Sequence, residues 1–121
     1  MKIYVLLKAS GFTSETYVEL FKDKEKAVEA FTELLDAFLE DKDWDVAISE
    51  QDWEGKISSI EWEEYSARFK TMDEVEAVRL SEELKAEYRE ACLKDLSFRY
   101  DDMNDNVINK ITVEEQDIKE V

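Results

Sequence analysis

Between Lys24 and Glu40 the apolar residues fall at Ala27, Val28, Phe31, Leu34, Leu35, Phe38 and Leu39. This is the i, i+3, i+4, i+7 stripe of an amphipathic helix, and a stripe that long must be buried against something. Asp23 stands just ahead of it as an N-cap. The preceding chain offers the surface it needs. "KIYVLLKA", residues 2 to 9, is rich in strand formers and reads as a buried strand. "SGFTSE" follows as a loop, and "TYVELF", residues 16 to 21, alternates as its hairpin partner. Tyr17, Glu19 and Phe21 then share one face of the strand, with Val18 and Leu20 on the other.

A second unit of the same kind is expected downstream. "WDVAISEQDW" and "GKISSIEWEEYSARF" read as two strands joined near "DWEG", with Gly55 supplying a positive φ in the turn. A short helix over Asp45 to Trp53 is the alternative. Thr71 opens a capping box with Glu74. A long helix is expected from about Met72 to Leu96, with Ala77, Leu80, Leu84, Tyr88, Ala91 and Leu96 as its stripe. "SFRY" and, after "DDMNDN", "VINKITVEE" read as a terminal hairpin. "FKDKEKAVEAF" and "FKTMDEVEAV" both run from Phe-Lys through a cap into a helix. The expectation is a single acidic α+β domain over residues 1–121, ordered ββα-ββα-ββ. It would have an antiparallel sheet of about five to six strands with two helices on one face.

The counts exclude much chemistry. There is no histidine, so Ser-His-Asp and Cys-His nucleophile systems are excluded, as are imidazole metal ligands. Gly11 and Gly55 are the only glycines, too few for a glycine-rich phosphate loop. Cys92 is the single cysteine, so no intrachain disulfide forms, and its helical setting makes it an inert core thiol. With 32 acids some carboxylates always lie near one another, so a carboxylate pair carries no catalytic signal. No enzyme activity and no cofactor are expected. No signal peptide or membrane-spanning run is visible, and a cytoplasmic protein is the expectation.

The net charge is −16. That opposes direct binding to nucleic acid and to anionic membranes. It permits cations and basic proteins. The charge is concentrated. Residues 40 to 64 carry ten acids and two bases, and residues 100 to 121 carry seven acids and two bases. The long helix is different. Its acids are laced with bases at helical spacing: Glu90 with Lys94, Arg79 with Glu83, and Glu82 with Lys85. The acids at 40 to 64 lack such partners, and their mutual repulsion costs stability.

"DKDWDVAISEQD", residues 41 to 52, resembles an EF-hand calcium loop in the spacing of Asp41, Asp43, Asp45, Ser49 and Asp52. Three features depart from that pattern. Val46 stands at the glycine position, Asp52 is one carbon shorter than the usual Glu, and "WEGKISS" does not read as an exiting helix. No metal site is therefore expected.

Another chemistry fits the acids better. On an extended strand, residues i and i+2 lie about 6.8 Å apart on one face, comparable to phosphates along a DNA strand. Asp41, Asp43 and Asp45 would form such a row, and so would Glu61 and Glu63. The expected partner-binding residues are these five with Glu50, Asp52, Glu54 and Glu64. Asp101, Asp102 and Asp105 form a second patch. Trp44, Trp53 or Trp62, if exposed, would anchor a partner beside the charges. In size and charge the whole chain resembles the DNA-mimicking anti-CRISPR and anti-restriction inhibitors that phages and mobile elements carry. That resemblance implies a basic protein partner such as a nuclease or CRISPR effector. The alternative is an accessory or regulatory protein that binds through an apolar face, or as a homodimer, with acidity serving solubility alone.

Overall fold

A computed structural model describes residues 1–10, 16–41, 44–48, 50–102 and 107–118. The order is β1 (Lys2–Ser10), β2 (Thr16–Phe21), α1 (Lys24–Leu39), α2 (Trp44–Ala47), α3 (Glu50–Lys56), α4 (Trp62–Phe69), α5 (Glu74–Asp95), β3 (Ser97–Asp102) and β4 (Val107–Asp117). The class is α+β, as expected. The four described strands form one antiparallel sheet in the order β2-β1-β4-β3. Five to six strands and a ββα-ββα-ββ order are not what forms: the middle of the chain is helical, giving ββα-αααα-ββ.

Both expected hairpins are present, and they meet through β1 and β4. Leu6 is paired with Val113 and Lys8 with Ile111, so the first and last strands lie side by side at the sheet's centre. Leu6, Phe21, Phe98 and Ile111 point to one face, where α1 sits and buries Ala27, Phe31, Leu35 and Leu39. Phe31, Leu35 and Leu39 each stabilise the fold by about 1.5–3 kcal/mol on full burial. Phe31 meets Phe98 edge-on at 5.6 Å between ring centroids. Asp23 caps α1 by accepting from the Glu25 amide. On the opposite face, Val18 pairs with Leu7 and Leu20 with Val5. There Val18 is 49% and Leu20 63% exposed.

α5 is the second long helix and buries Leu84, Tyr88 and Cys92. Its N-cap is Asp73, which accepts from the Glu76 amide at 2.8 Å, two residues beyond the expected Thr71 box. Thr71 instead closes α4, its amide donating to the Arg68 carbonyl. Phe69-Lys70 therefore ends a helix rather than a strand, which breaks the parallel between the two Phe-Lys segments. α5 ends at Leu96, which takes a left-handed conformation with φ 51° and ψ 43°. That conformation is costly for a residue with a Cβ, and the packing of Leu96 against the core holds it.

The strands expected over 44–53 and 55–69 are replaced by α2, α3 and α4. Aromatic and β-branched content suggested strands, but the spacing is helical. Trp53 lies four residues from Ile57, and Trp62, Tyr65 and Phe69 are i, i+3, i+7. Trp44, Trp53, Ile57, Ile60 and Tyr65 all enter the core as a result. One trace of sheet survives, an isolated bridge between Ile48 and Tyr100 on β3. Gly55 lies inside α3 without a positive φ, and a Cβ there would meet open space.

Candidate functional site

The acids of residues 40 to 64 divide into an internal and an external set. Asp45, in the single turn α2, is 8% exposed and accepts the Tyr65 hydroxyl at 2.5 Å. Asp52, in α3, forms an i,i+4 ion pair with Lys56 at 3.6 Å. It also accepts from the Tyr88 hydroxyl and from the Arg99 amide at 3.3 Å. The Lys56 side chain is only 5% exposed. Its ammonium donates to the Ser97 carbonyl, lies 3.6 Å from the Cys92 sulfur and stands 5.7 Å from the Tyr88 ring centroid. Asp52 and Lys56 thus join α3, α5 and β3.

This network fixes the chemistry of its members. Burial, then the neighbouring Cys92 and Asp52, push the Tyr88 phenol far up. Burial and Asp45 push Tyr65 up as well. Burial pushes the Cys92 thiol up to about 11. At neutral pH Cys92 is therefore a protonated, buried thiol and a poor nucleophile.

The external set faces solvent. Glu54 is exposed on α3, Glu61 occupies the N-cap position of α4 without a side-chain cap bond, and Glu63 and Glu64 lie in its first turn. None of these four makes an ion pair among the described residues. Glu54, Glu61 and Glu63 line one groove with Trp62, which is half-buried and meets Trp53 edge-on at 5.4 Å. The positive end of the α4 dipole favours acids at 63 and 64.

Placement of the other expected residues is mixed. Asp41 is exposed just after α1, and its carbonyl accepts from the Trp44 amide. Asp43 and Asp105 lie outside the described residues, as do the side chains of Glu50, Asp101 and Asp102. The extended rows of Asp41, Asp43 and Asp45 and of Glu61 and Glu63 do not form as strands, because Asp45 and Glu63 are helical. Trp44 and Trp53 are 1% exposed and are core, not anchors.

The calcium-like loop fares differently from its expectation in one respect. A helix, α3, does follow it. Yet its fifth and twelfth positions, Asp45 and Asp52, are turned to different tyrosines. Among the described residues no three acids or thiols converge on a point where a cation would sit.

Sequence reasoning missed Glu87. From α5 its carboxylate accepts the amides of Ser58 at 2.8 Å and Ser59 at 3.2 Å, and both serine hydroxyls. It clamps the turn between α3 and α4. Burial works to raise its pKa, and the serine hydrogen bonds outweigh this and hold it below the ordinary carboxylate value. Its signal in sequence was faint, because Glu87 lies 28 and 29 positions from the two serines it binds.

Comparison of the chain with protein-family models, with curated proteins and with solved structures finds no match. Among the described residues no helix is long and apolar enough to cross a membrane.

Proposed function

We propose that this is a non-catalytic acidic protein of the cytoplasm that binds a basic, nucleic-acid-binding partner and occupies its nucleic-acid site. It would be a DNA-mimic inhibitor of the anti-CRISPR or anti-restriction type, carried by a phage or mobile element. The supporting observation is the external set: Glu54, Glu61, Glu63 and Glu64 are exposed and free of ion pairs, beside the half-buried Trp62. Desolvating such carboxylates against a partner's Lys and Arg costs no internal ion pair. Asp45 and Asp52, already committed inside the fold, contribute to that surface only by holding α2 and α3 in place. Association of this kind is fast and salt-sensitive.

The test is a pull-down at low salt, followed by measurement of the captured complex from about 0.1 to 0.5 M salt, where the Debye length falls to a few Å. Steep weakening with salt supports the proposal, as does loss of binding when the four glutamates are changed to lysine. Full affinity in that folded variant would refute it.

A second reading rests on Val18 and Leu20, whose exposure on the sheet's outer face suits an apolar interface or a homodimer. Salt would not weaken that contact. Sedimentation of the protein alone, with and without Leu20→Lys, tests it, and a monomer at all concentrations rules the homodimer out.

A further inference from the structure

A second groove lies away from Trp62, between the end of α1 with α2, the last residue of α4, and the first half of α5. Its apolar lining includes Trp44, Phe69, Ala77 and Val78. Phe69 is 46% and Val78 58% exposed, high values for side chains of this size. Phe69 leans on Tyr65 at 5.7 Å between centroids, and Tyr65 is held by Asp45. The apolar surface is thus presented by a fixed scaffold. Its polar edge, among the described residues, is made by Glu40, Asp41, Glu74 and Glu82 with Lys85, which is already paired with Glu82 at 3.4 Å.

A third feature points the same way. The C-terminus of α1 opens at this groove, and the last turn of α1 carries no basic residue. The negative end of a helix dipole ordinarily takes Lys or Arg nearby. Among the described residues it faces Glu40 and Asp41, which adds negative potential at one end of an apolar trough. An apolar floor inside an acidic rim matches a cationic segment with its own apolar face, the helix-in-groove mode of recognition.

The geometry points to this groove as the docking site for a basic amphipathic helix of a partner protein, with an aliphatic or aromatic side chain seated against Phe69 and Val78 and a Lys or Arg at the C-terminus of α1. This rests on the reading of a basic partner given above, but it assigns the apolar anchor to a surface distinct from the Trp62 groove.

The test uses the full chain and two synthetic peptides of about 14 residues, long enough for the i, i+3, i+4, i+7 anchors of a groove-binding helix. One carries leucines at those positions and lysines elsewhere; the other keeps the lysines and replaces each leucine with serine. Binding is followed by fluorescence anisotropy and by amide and indole NMR shifts. The leucine peptide should bind at least about tenfold tighter than the serine peptide, since buried apolar anchors dominate such contacts. Shifts should centre on Val78, Ser81 and the Trp44 indole N–H, which donates to Ser81. Phe69→Ser with Val78→Ser should abolish the preference for leucine, and both positions are exposed enough for the variant to fold. Equal affinity of the two peptides, or shifts centred on Trp62, overturns the groove assignment. Reversing Glu54, Glu61, Glu63 and Glu64 separates the two ideas. If that variant keeps the leucine preference but no longer captures a partner protein, both stand. If it loses the leucine preference while the Phe69 and Val78 variant retains it, the groove fails and the acidic-surface reading remains.

Discussion

Asp52 and Glu54 are two residues apart on the same seven-residue helix, yet they do opposite things. Asp52 is turned inward, where it gathers a lysine, a tyrosine hydroxyl and a strand amide. Glu54 is turned to water and pairs with nothing among the described residues. Asp45 and Glu63 repeat the contrast, one beneath Tyr65 and the other on the rim of a groove. A single net charge therefore conceals two quantities. Internal carboxylates hold helices to one another, and only external ones are available to another molecule.

The contrast is broken most severely at Asp52. Asp52→Ala leaves Lys56 buried without its counter-ion and the Tyr88 hydroxyl without its acceptor, and should cost about 3–5 kcal/mol in a urea unfolding series. Replacing Asp52 and Lys56 together by Leu and Met should recover the part of that loss that comes from the unpaired Lys56 charge, leaving the smaller cost of the Tyr88 hydroxyl and Arg99 amide, which still lack their acceptor. If the double variant is as unstable as the single one, the ion pair is not the source of the effect. Asp45→Ala removes the acceptor of the Tyr65 hydroxyl and should cost about 1–3 kcal/mol, with Tyr65→Phe in the same background adding little.

Glu87 sharpens the comparison, because it is half-buried yet works through hydrogen bonds alone. Its folded pKa lies below the ordinary 4.5. Its stabilisation is therefore complete above that value and is lost as the pH falls through the folded pKa. Glu87→Gln should cost about 1 kcal/mol at neutral pH, with the gap to the natural protein closing on acidification; thermal melts between neutral pH and pH 3 check this. The smallest effect belongs to the external set. Glu54→Lys, Glu61→Lys, Glu63→Lys and Glu64→Lys should each move stability by no more than about 0.5 kcal/mol, measured by the same urea series. A large loss at any of them would place that residue with Asp52 instead.

How much of this was legible depended on whether one local signal faced a rival. The α1 stripe has seven apolar residues at helical spacing and an Asp23 cap, with no β alternation to compete, and the helix forms almost as read. The two hairpins were clear for the same reason. In residues 44–69 two signals overlapped. Ile60, Trp62 and Glu64 alternate like a strand, while Trp62, Tyr65 and Phe69 repeat like a helix. Tertiary burial decided for the helix, since Trp53, Ile57 and Tyr65 reach the core together only in that form. The roles of Asp45 and Asp52 were not legible, because their partners Tyr65 and Tyr88 lie 20 and 36 positions away. The expectation that the acids at 40 to 64 lack base partners is corrected at Asp52, whose i,i+4 partner Lys56 does not register when the segment is read as strand; spacing in any case does not tell a surface pair from a buried one.

The pairing of β1 with β4 has a consequence in time. Residues 2–10 reach their central place in the sheet only when residues 109–117 exist to lie beside them. At synthesis rates of about 5–20 residues per second, that partner follows by roughly 5–20 s. During the wait, β1 has only β2 and α1 to shelter it, and one of its edges stays open to any strand of another nascent chain. The sheet is closed only once β4 has been made, so the yield of soluble protein should depend on how that edge is kept single until then.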